Sequence, residues 1–272
     1  MTVSVFLAVA AIAGGSAVRA ADPGQSQDLY ATSPAPQGWI VTVTGNAVVS
    51  PEFLGSKNYG LTAYPSISVR RAGTPESFSA PDDGIGLDLS PLDWLRCGPV
   101  VHYQGGRYLS GNPELHGLHK VPWTLQGGGF VELWPTGHIR ARAELVHGFR
   151  SADGFAAYFS IDWVERLGKW TLSGGPRFSL EDTKDMRTRF GVTFEDALNN
   201  GFVSPYRPNG GLSGAGLAAA ASYQWNDQWA ATGYGGYQRL FGDAGKSPIV
   251  THLGSRDEFS LGARLSYSFG VN

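Results

Sequence analysis

Four histidines are the side chains of this 272-residue sequence best suited to acid, base or metal chemistry: His102, His116, His119 and His147. Hydrolysis by a histidine requires a nucleophile and an orienting group within hydrogen-bond reach. Ser110, Ser151 and Glu114 are nearby in the sequence, but no serine stands at a spacing that identifies a catalytic partner. A lipid deacylase built on His147 would need such a partner. The sequence therefore predicts no catalytic residue.

Metal binding is the second chemistry that the sequence raises. Glu114, His116 and His119 stand close together, but in a glycine-rich stretch that lacks cysteines and the fixed frame of a helix. A later acidic group lacks the closely alternating aspartates of a calcium loop; its members are Asp182, Asp185, Glu195 and Asp196. We therefore expect neither a metal site nor a cofactor.

A larger set of charged residues recurs at every second position of alternating segments. Successive side chains of a β-strand point to opposite faces, so residues of one parity share a face. Ionised groups in a narrow interior need partners, and we expect Glu144 and Asp162 to pair with arginines of neighbouring strands. The mixed signs favour a filled interior, whereas a ring of one sign would favour a selective passage. The predicted network comprises Arg140, Arg142, Glu144, Asp162, Arg177 and Arg264.

The segments that carry these charges are predicted strands. The sequence EFSLGARLSYSF at 258–269 alternates throughout, with Phe259 and Leu261 on one face and Glu258 and Ser260 on the other. No helical period of similar length competes with this alternation, so the predicted fold is all-β, an antiparallel barrel of about twelve strands. The strands are predicted at 39–49, 61–69, 77–80, 85–89, 98–106, 122–134, 138–145, 155–163, 170–181, 217–225, 228–240 and 258–269.

The apolar faces of these strands meet either a second sheet, as in a soluble sandwich, or lipid, as in an outer-membrane barrel. Only 16% of the residues are charged, below the roughly 25% of soluble domains. After the N-terminus, no apolar run reaches the roughly 18 residues of a membrane helix. Membrane residence would therefore use strands, and the net charge of -2 argues against nucleic-acid binding.

Link lengths and tryptophans favour the membrane barrel. Such barrels have short periplasmic turns and longer outer loops, and the predicted links alternate in this way, with 90–96 and 150–153 as exceptions. Amphipathic rings prefer the lipid interface. The tryptophans at predicted inner strand ends are Trp39, Trp134, Trp163, Trp170, Trp225 and Trp229. We therefore expect contact with outer-membrane lipid.

The N-terminus predicts export. Residues 3–13 are apolar and a small-x-small pattern follows at 18–20, so 1–20 is predicted to be a cleaved signal peptide, although no Lys or Arg precedes the apolar stretch. We assign 21–37 to a periplasmic segment and 38–272 to the barrel. Cys97 is the single cysteine, so no disulfide forms within the chain.

Several local motifs resemble the MipA/OmpV family of outer-membrane proteins. They are PEFLGSKNY at 51–59, CGPVV at 97–101, LHGLHKV at 115–121, RFGVT at 189–193, GDAGKSPIV at 242–250 and a closing YSF at 267–269, with GVN extending past the terminal Phe. These motifs cover almost the whole predicted mature chain. The motif residues that we single out are Gly55, Ser56, Gly98, Pro99, Gly117, Gly242, Asp243, Ser247 and Pro248.

The resemblance implies a non-enzymatic scaffold in the outer membrane of a Gram-negative bacterium. Its implied partners are a murein-degrading lytic transglycosylase and a bifunctional murein synthase. No catalytic residue set is carried over, because none defines the family. A small-solute channel or an adhesin remains the alternative, and a lipid-modifying enzyme is a further one. The short predicted periplasmic turns leave little surface for a large partner, which weighs against the scaffold.

Overall fold

The computed structural model describes residues 38–74, 77–90, 92–109, 112–149 and 154–271. The predictions for 1–37 therefore lie outside the described residues. The described residues form eleven strands, β1 to β11 in chain order: Trp39–Pro51, Tyr59–Arg71, Ile85–Gly86, Leu95–Gln104, Thr124–Leu133, Ile139–Gly148, Phe155–Leu167, Trp170–Glu181, Gly211–Gln224, Trp229–Leu240 and Asp257–Val271. Three short α-helices lie between strands: α1 Thr183–Phe190, α2 Phe194–Asn200 and α3 Gly242–Lys246; a 3₁₀ turn at Pro113–Leu115 and a π-helical turn at Ile249–Leu253 also lie between strands.

The alternating pattern gives strands such as β6 and β11 a buried face with charged residues and an exposed apolar face. In β6, Arg140 is fully buried and Glu144 is 5% exposed, whereas Leu145 is 58% exposed. In β11, Glu258 is buried while Leu261 is 70% exposed. This is the reverse of a water-soluble sheet and matches a barrel whose outer face meets lipid.

All eleven strands belong to one antiparallel sheet that curls into an incomplete barrel. Its order is β2-β1-β11-β10-β9-β8-β7-β6-β5-β4-β3. The first and last strands, β1 and β11, therefore pair with each other, with Trp39 opposite Val271. The edge strands β2 and β3 form no ladder with each other in the described residues. The predicted all-β antiparallel class is confirmed. None of the described helices has the length and apolarity needed to cross a membrane.

Strand directions sort the links onto two ends. We call the end with Trp39 and Val271 the inner end. The described parts of the links 87–94, 134–138, 168–169 and 225–228 lie there, while the described parts of 52–58, 105–123, 149–154, 182–210 and 241–256 lie at the opposite, outer end. Short links thus gather at the inner end and most long loops at the outer end, as in outer-membrane barrels.

One predicted strand takes a different path. Residues 77–80 are not a strand, and with 81–84 they form an internal segment that contacts inward-facing side chains of β6, β8 and β11. Pro81 cannot donate to a strand ladder, and the carboxylates of Asp82 and Asp83 find arginine partners inside the sheet. Charge pairing in the interior therefore prevails over the short alternating pattern.

Pro65 explains why β2 can be an edge strand. The Ala72 N–H donates to the Gly38 carbonyl and the Glu52 N–H to the Asn58 carbonyl, so even-numbered residues of β1 form the hydrogen-bonded pairs of this ladder. Pro65 lies opposite Gly45, at a position that is not hydrogen-bonded to β1. Its nitrogen, which carries no hydrogen, therefore faces the open side of β2, where a proline is tolerated.

Candidate functional site

Arg140 is the centre of a buried charge network inside the sheet. Its guanidinium contacts three carboxylates: Asp162 at 2.8 Å, Glu132 at 2.9 Å and Asp83 at 2.6 Å. Each partner is at most 6% exposed at its side chain. A buried charge is tolerated only when it is paired and hydrogen-bonded, so the loss of Arg140 would leave three buried carboxylates without their common partner.

A second arginine extends this network along the sheet. Arg142 contacts Glu144 at 2.5 Å and Glu132 at 3.1 Å, and its guanidinium lies 3.8 Å from the ring centroid of Phe130. Glu144 also contacts the Nε2 atom of His102. The network therefore joins strands β4, β5 and β6 through side chains of both signs.

The internal segment, residues 77–84, is held against these side chains. Asp82 takes a two-point contact with Arg177, whose Nε and Nη2 atoms lie 2.5 and 3.2 Å from the two carboxylate oxygens. Asp83 accepts from Arg140, and the carbonyl of Pro81 accepts from Arg264. The segment thus crosses the interior and contacts the three strands β6, β8 and β11.

The outer end is covered by an apolar cluster. We call the described parts of the loops 52–58, 105–123, 182–210 and 241–256 the outer cap. The buried apolar side chains of the cap come from different loops and form two groups: Leu115, Leu118, Val192, Val203, Ile249 and Leu253 in one, and Met186, Phe190, Ala244 and Val250, with Leu240 of β10, in the other. Burial of side chains from several loops makes the cap a packed layer.

Polar contacts fix the loops of the outer cap to each other and to the sheet. The Gly55 N–H donates to the Glu258 carboxylate at 2.5 Å, and the Ser247 hydroxyl donates to the Phe190 carbonyl at 2.7 Å. Arg107 donates to the Arg189 carbonyl at 2.6 Å. Burial lowers the pKa of Arg107 to about 10, against the opposing attraction of Asp196. The buried Arg107 cation is stabilised by its contacts within the cap.

A depression of about 650 Å³ opens beside His119 on the outer cap. The His119 Nδ1 atom lies 2.8 Å from the carboxylate of Asp196. Burial by itself would raise the pKa of Asp196, but hydrogen bonds from the Thr193 backbone and from His119 hold this pKa below its usual value. Asp196 also completes a capping box with Thr193 at the start of α2. This pair therefore anchors a helix.

The family profile described as MltA-interacting protein MipA matches residues 43–269, most of the chain. The chain belongs to the MipA family. Together with the sheet architecture, this membership makes the protein an outer-membrane β-barrel protein. A search of curated protein sequences finds no match.

Solved structures that resemble this MipA family member include an outer membrane channel, a porin and a toluene transporter. An outer membrane channel from Pseudomonas putida aligns with 10% identity and a TM-score of 0.44, covering 90% of this chain and 100% of that chain. The NanC porin aligns with 9% identity and a TM-score of 0.39, covering 84% of this chain and 98% of that chain. The Ralstonia pickettii toluene transporter TbuX aligns with 10% identity and a TM-score of 0.37, covering 89% of this chain and 92% of that chain. At these TM-scores the likeness is too weak to support an argument about this chain.

Most of the motif residues singled out in the sequence meet in the outer cap of this MipA family member. Gly117 has φ of 85° and packs so tightly that a Cβ would lie 2.6 Å from the Asn199 backbone. The Asp243 carboxylate accepts from the Asn209 N–H at 2.9 Å. The other members found in the cap are Gly55, Ser56, Gly242, Ser247 and Pro248. Their placement indicates a role in building the cap.

Gly98 and Pro99 lie elsewhere, in β4 beside the edge strand β3. A Cβ on Gly98 would lie 1.9 Å from the Leu87 carbonyl oxygen, and the Pro99 carbonyl accepts from the Leu87 N–H at 3.0 Å. This motif therefore permits the close approach of the short strand that ends the sheet.

The structure brings five of the six predicted network residues into one connected set through Asp162, Glu132 and Asp83. Arg177 contacts Asp162 at 2.7 Å. Arg264 is set apart from that set and reaches the Pro81 carbonyl instead. Glu132 lies on the predicted inward parity but was not among the six. The internal carboxylates Asp82 and Asp83 were missed, and their signal was two adjacent acids in a Pro-Gly segment.

The histidines considered for catalysis have separate surroundings. His102 contacts Glu144 and His119 contacts Asp196, while the His147 ring packs against Phe149 and Phe155 with centroid distances of 6.2 and 4.6 Å. Across the described ranges, His, Cys, Asp and Glu side chains form no group of three that could hold a metal ion.

Proposed function

We propose that this protein is a non-catalytic scaffold of the outer membrane that binds a murein-degrading lytic transglycosylase at its inner end. The observation that carries the proposal is the closure of the interior at two levels, by the internal segment and by the outer cap. A barrel filled in this way works through the surfaces that it presents. The name of the family, which refers to an MltA-interacting protein, supports this class of partner.

The inner end offers a small but distinctive surface. Arg166 and Lys169 flank the turn between β7 and β8, and both are exposed. The Lys169 ammonium donates to the Trp225 carbonyl at 2.8 Å, which joins this turn to the next one. These two exposed cations beside exposed aromatic rings suit acidic side chains of a partner. A bifunctional murein synthase would join this complex as a further partner.

The test is affinity capture with the purified full-length chain in detergent. A purified lytic transglycosylase is passed over immobilised wild type, over an Arg166→Glu/Lys169→Glu variant and over a Lys57→Glu/Lys184→Glu control, which makes the same charge change at the outer end. We expect the wild type and the control to retain the enzyme and the inner-end variant to lose at least tenfold in affinity. Absence of capture by the wild type would contradict the scaffold role.

A gated channel is the second candidate function, because side-chain contacts hold the internal segment in the interior. Its charged contacts are Asp82 with Arg177 and Asp83 with Arg140. Side-chain ion pairs of this kind are easier to break and re-form than the backbone hydrogen bonds of a strand ladder. Planar-bilayer recordings on the full-length chain test it: a channel requires openings of the wild type, and a sealed barrel gives none.

A further inference from the structure

We infer that the arginines facing the internal segment form a binding site for a small dicarboxylate, and that Asp82 and Asp83 occupy this site as a built-in competitor. This inference goes beyond the proposed scaffold role, since it concerns a solute inside the barrel. Its starting point is the form of the contacts that the internal segment makes with the wall.

The contacts are those of a bound ligand. Asp82 presents both carboxylate oxygens to the Nε and Nη2 atoms of Arg177, the fork geometry by which arginine recognises carboxylates. The next residue, Asp83, places its carboxylate 2.6 Å from Arg140 and 3.9 Å from Arg142. Three arginines on two strands of the wall, β6 and β8, therefore contact the carboxylates of two consecutive residues.

The charge balance of the wall supports a site for anions. Among the described contacts, the arginines at this level are Arg96, Arg140, Arg142, Arg177 and Arg264, and the carboxylates paired with them outside the internal segment are Asp88, Glu132, Glu144 and Asp162. Arginine thus exceeds carboxylate by one charge on the wall. The two aspartates of the internal segment reverse this excess, so its departure would leave a positive interior that attracts an anion.

The geometry also explains why the inferred ligand has two carboxylates. Arg140 keeps Glu132 and Asp162 as wall partners when Asp83 leaves, and Arg177 keeps Asp162. Each arginine then has donors without a partner, and the two vacated positions are those that the carboxylates of consecutive residues, Asp82 and Asp83, had filled. A molecule with two carboxylates on a short carbon chain can fill both positions at once, whereas a monocarboxylate fills one.

The test uses succinate as the probe and a buried reporter in the internal segment. Ala80 is only 2% exposed, so an Ala80→Cys thiol in a Cys97→Ser background is shielded while the internal segment stays in place. The full-length chain in detergent micelles is labelled with a polar maleimide in succinate, or in acetate or sodium chloride at matched ionic strength. We expect succinate to speed labelling at least fivefold and the two controls to leave it unchanged.

A second reporter protein removes the competitor. In the same background, Asp82→Asn/Asp83→Asn should be labelled rapidly without succinate, whereas Asp93→Asn/Asp227→Asn, which removes two exposed inner-end charges, should be labelled as slowly as the parent. If the first variant does not fold, the succinate experiment on the parent decides alone. Equal labelling in succinate and acetate would overturn the inference. The capture of a transglycosylase is measured separately, so failure of one proposal leaves the other testable.

Discussion

The internal segment and the outer cap both obstruct the barrel, but different forces hold them. The segment is fixed by arginine and aspartate side chains, with Asp82 on Arg177 and Asp83 on Arg140. The outer cap also has polar side-chain contacts, but it is built around buried apolar clusters, with Leu115 and Ile249 almost fully buried. The arginines that hold the segment keep wall carboxylates as partners when it leaves, whereas an apolar core opens only by exposing its area to water. We therefore expect an anion to displace the internal segment, and we expect the outer cap to stay in place.

The largest expected effect concerns the centre of the charge network. Replacing Arg140 with methionine leaves Asp83, Glu132 and Asp162 buried without their common partner. We expect the free energy of unfolding to fall by about 3–5 kcal/mol, measured by urea unfolding in lipid vesicles with tryptophan fluorescence. Arg166→Met, at an exposed turn, is the matched control and should change stability little. An equal effect of both substitutions would remove the distinction between wall charges and surface charges.

The apolar core of the outer cap should give the next largest effect. Leu115→Ala removes a fully buried side chain and should destabilise the cap by about 2–4 kcal/mol. Because the cluster around Leu115 consists of loop residues, limited proteolysis should cut the loops faster while the barrel resists. Leu198→Ala, at a position 68% exposed, is the control and should leave the cleavage rate unchanged. Unfolding of the whole barrel by Leu115→Ala would show that the two regions are not independent.

A buried hydroxyl gives a smaller effect within the same region. Ser247 is fully buried and donates to the Phe190 carbonyl. Ser247→Ala leaves that carbonyl without its partner, so the cap should lose about 1–3 kcal/mol. Hydrogen exchange of the α1 and α3 amides measures this loss. Unchanged protection would mean that the motif serine does not join these helices.

The smallest effect is a pH dependence of the outer cap. Burial tends to raise the pKa of Asp196, but its hydrogen bonds from Thr193 and His119 lower it below the usual value. A depressed pKa in the folded state means that the stabilisation is complete above about pH 4 and is lost as the pH falls through the folded value. Asp196→Asn should weaken the start of α2 by about 1 kcal/mol at pH 6 and remove its acid sensitivity. Amide exchange of α2, corrected for intrinsic rates, tests this.

The sequence predicted the strands of the sheet, but it did not predict the internal segment or the contacts of the outer cap. Two-residue alternation predicted β6 to β11, because one slip would turn a whole strand face from lipid to the interior. The same parity predicted that Arg140, Arg142 and Glu144 face inward. The prediction of a strand at 77–80 was wrong, since a four-residue alternating stretch carries little information and the partners of the internal segment lie up to 183 residues away. The contacts of the outer cap were equally unpredictable, because irregular loops have no repeating pattern.

The central claim is that residues 77–84 lie inside the barrel against the wall arginines, and a cross-link tests it most directly. In a Cys97→Ser background, an Asp82→Cys/Arg177→Cys pair is treated with a short bifunctional maleimide, with Asp93→Cys/Arg177→Cys as the control pair. Asp83 and Arg140 remain to hold the segment. The account predicts an internal cross-link for the first pair and none for the control. No cross-link at 82–177, or equal yields for both pairs, would contradict it.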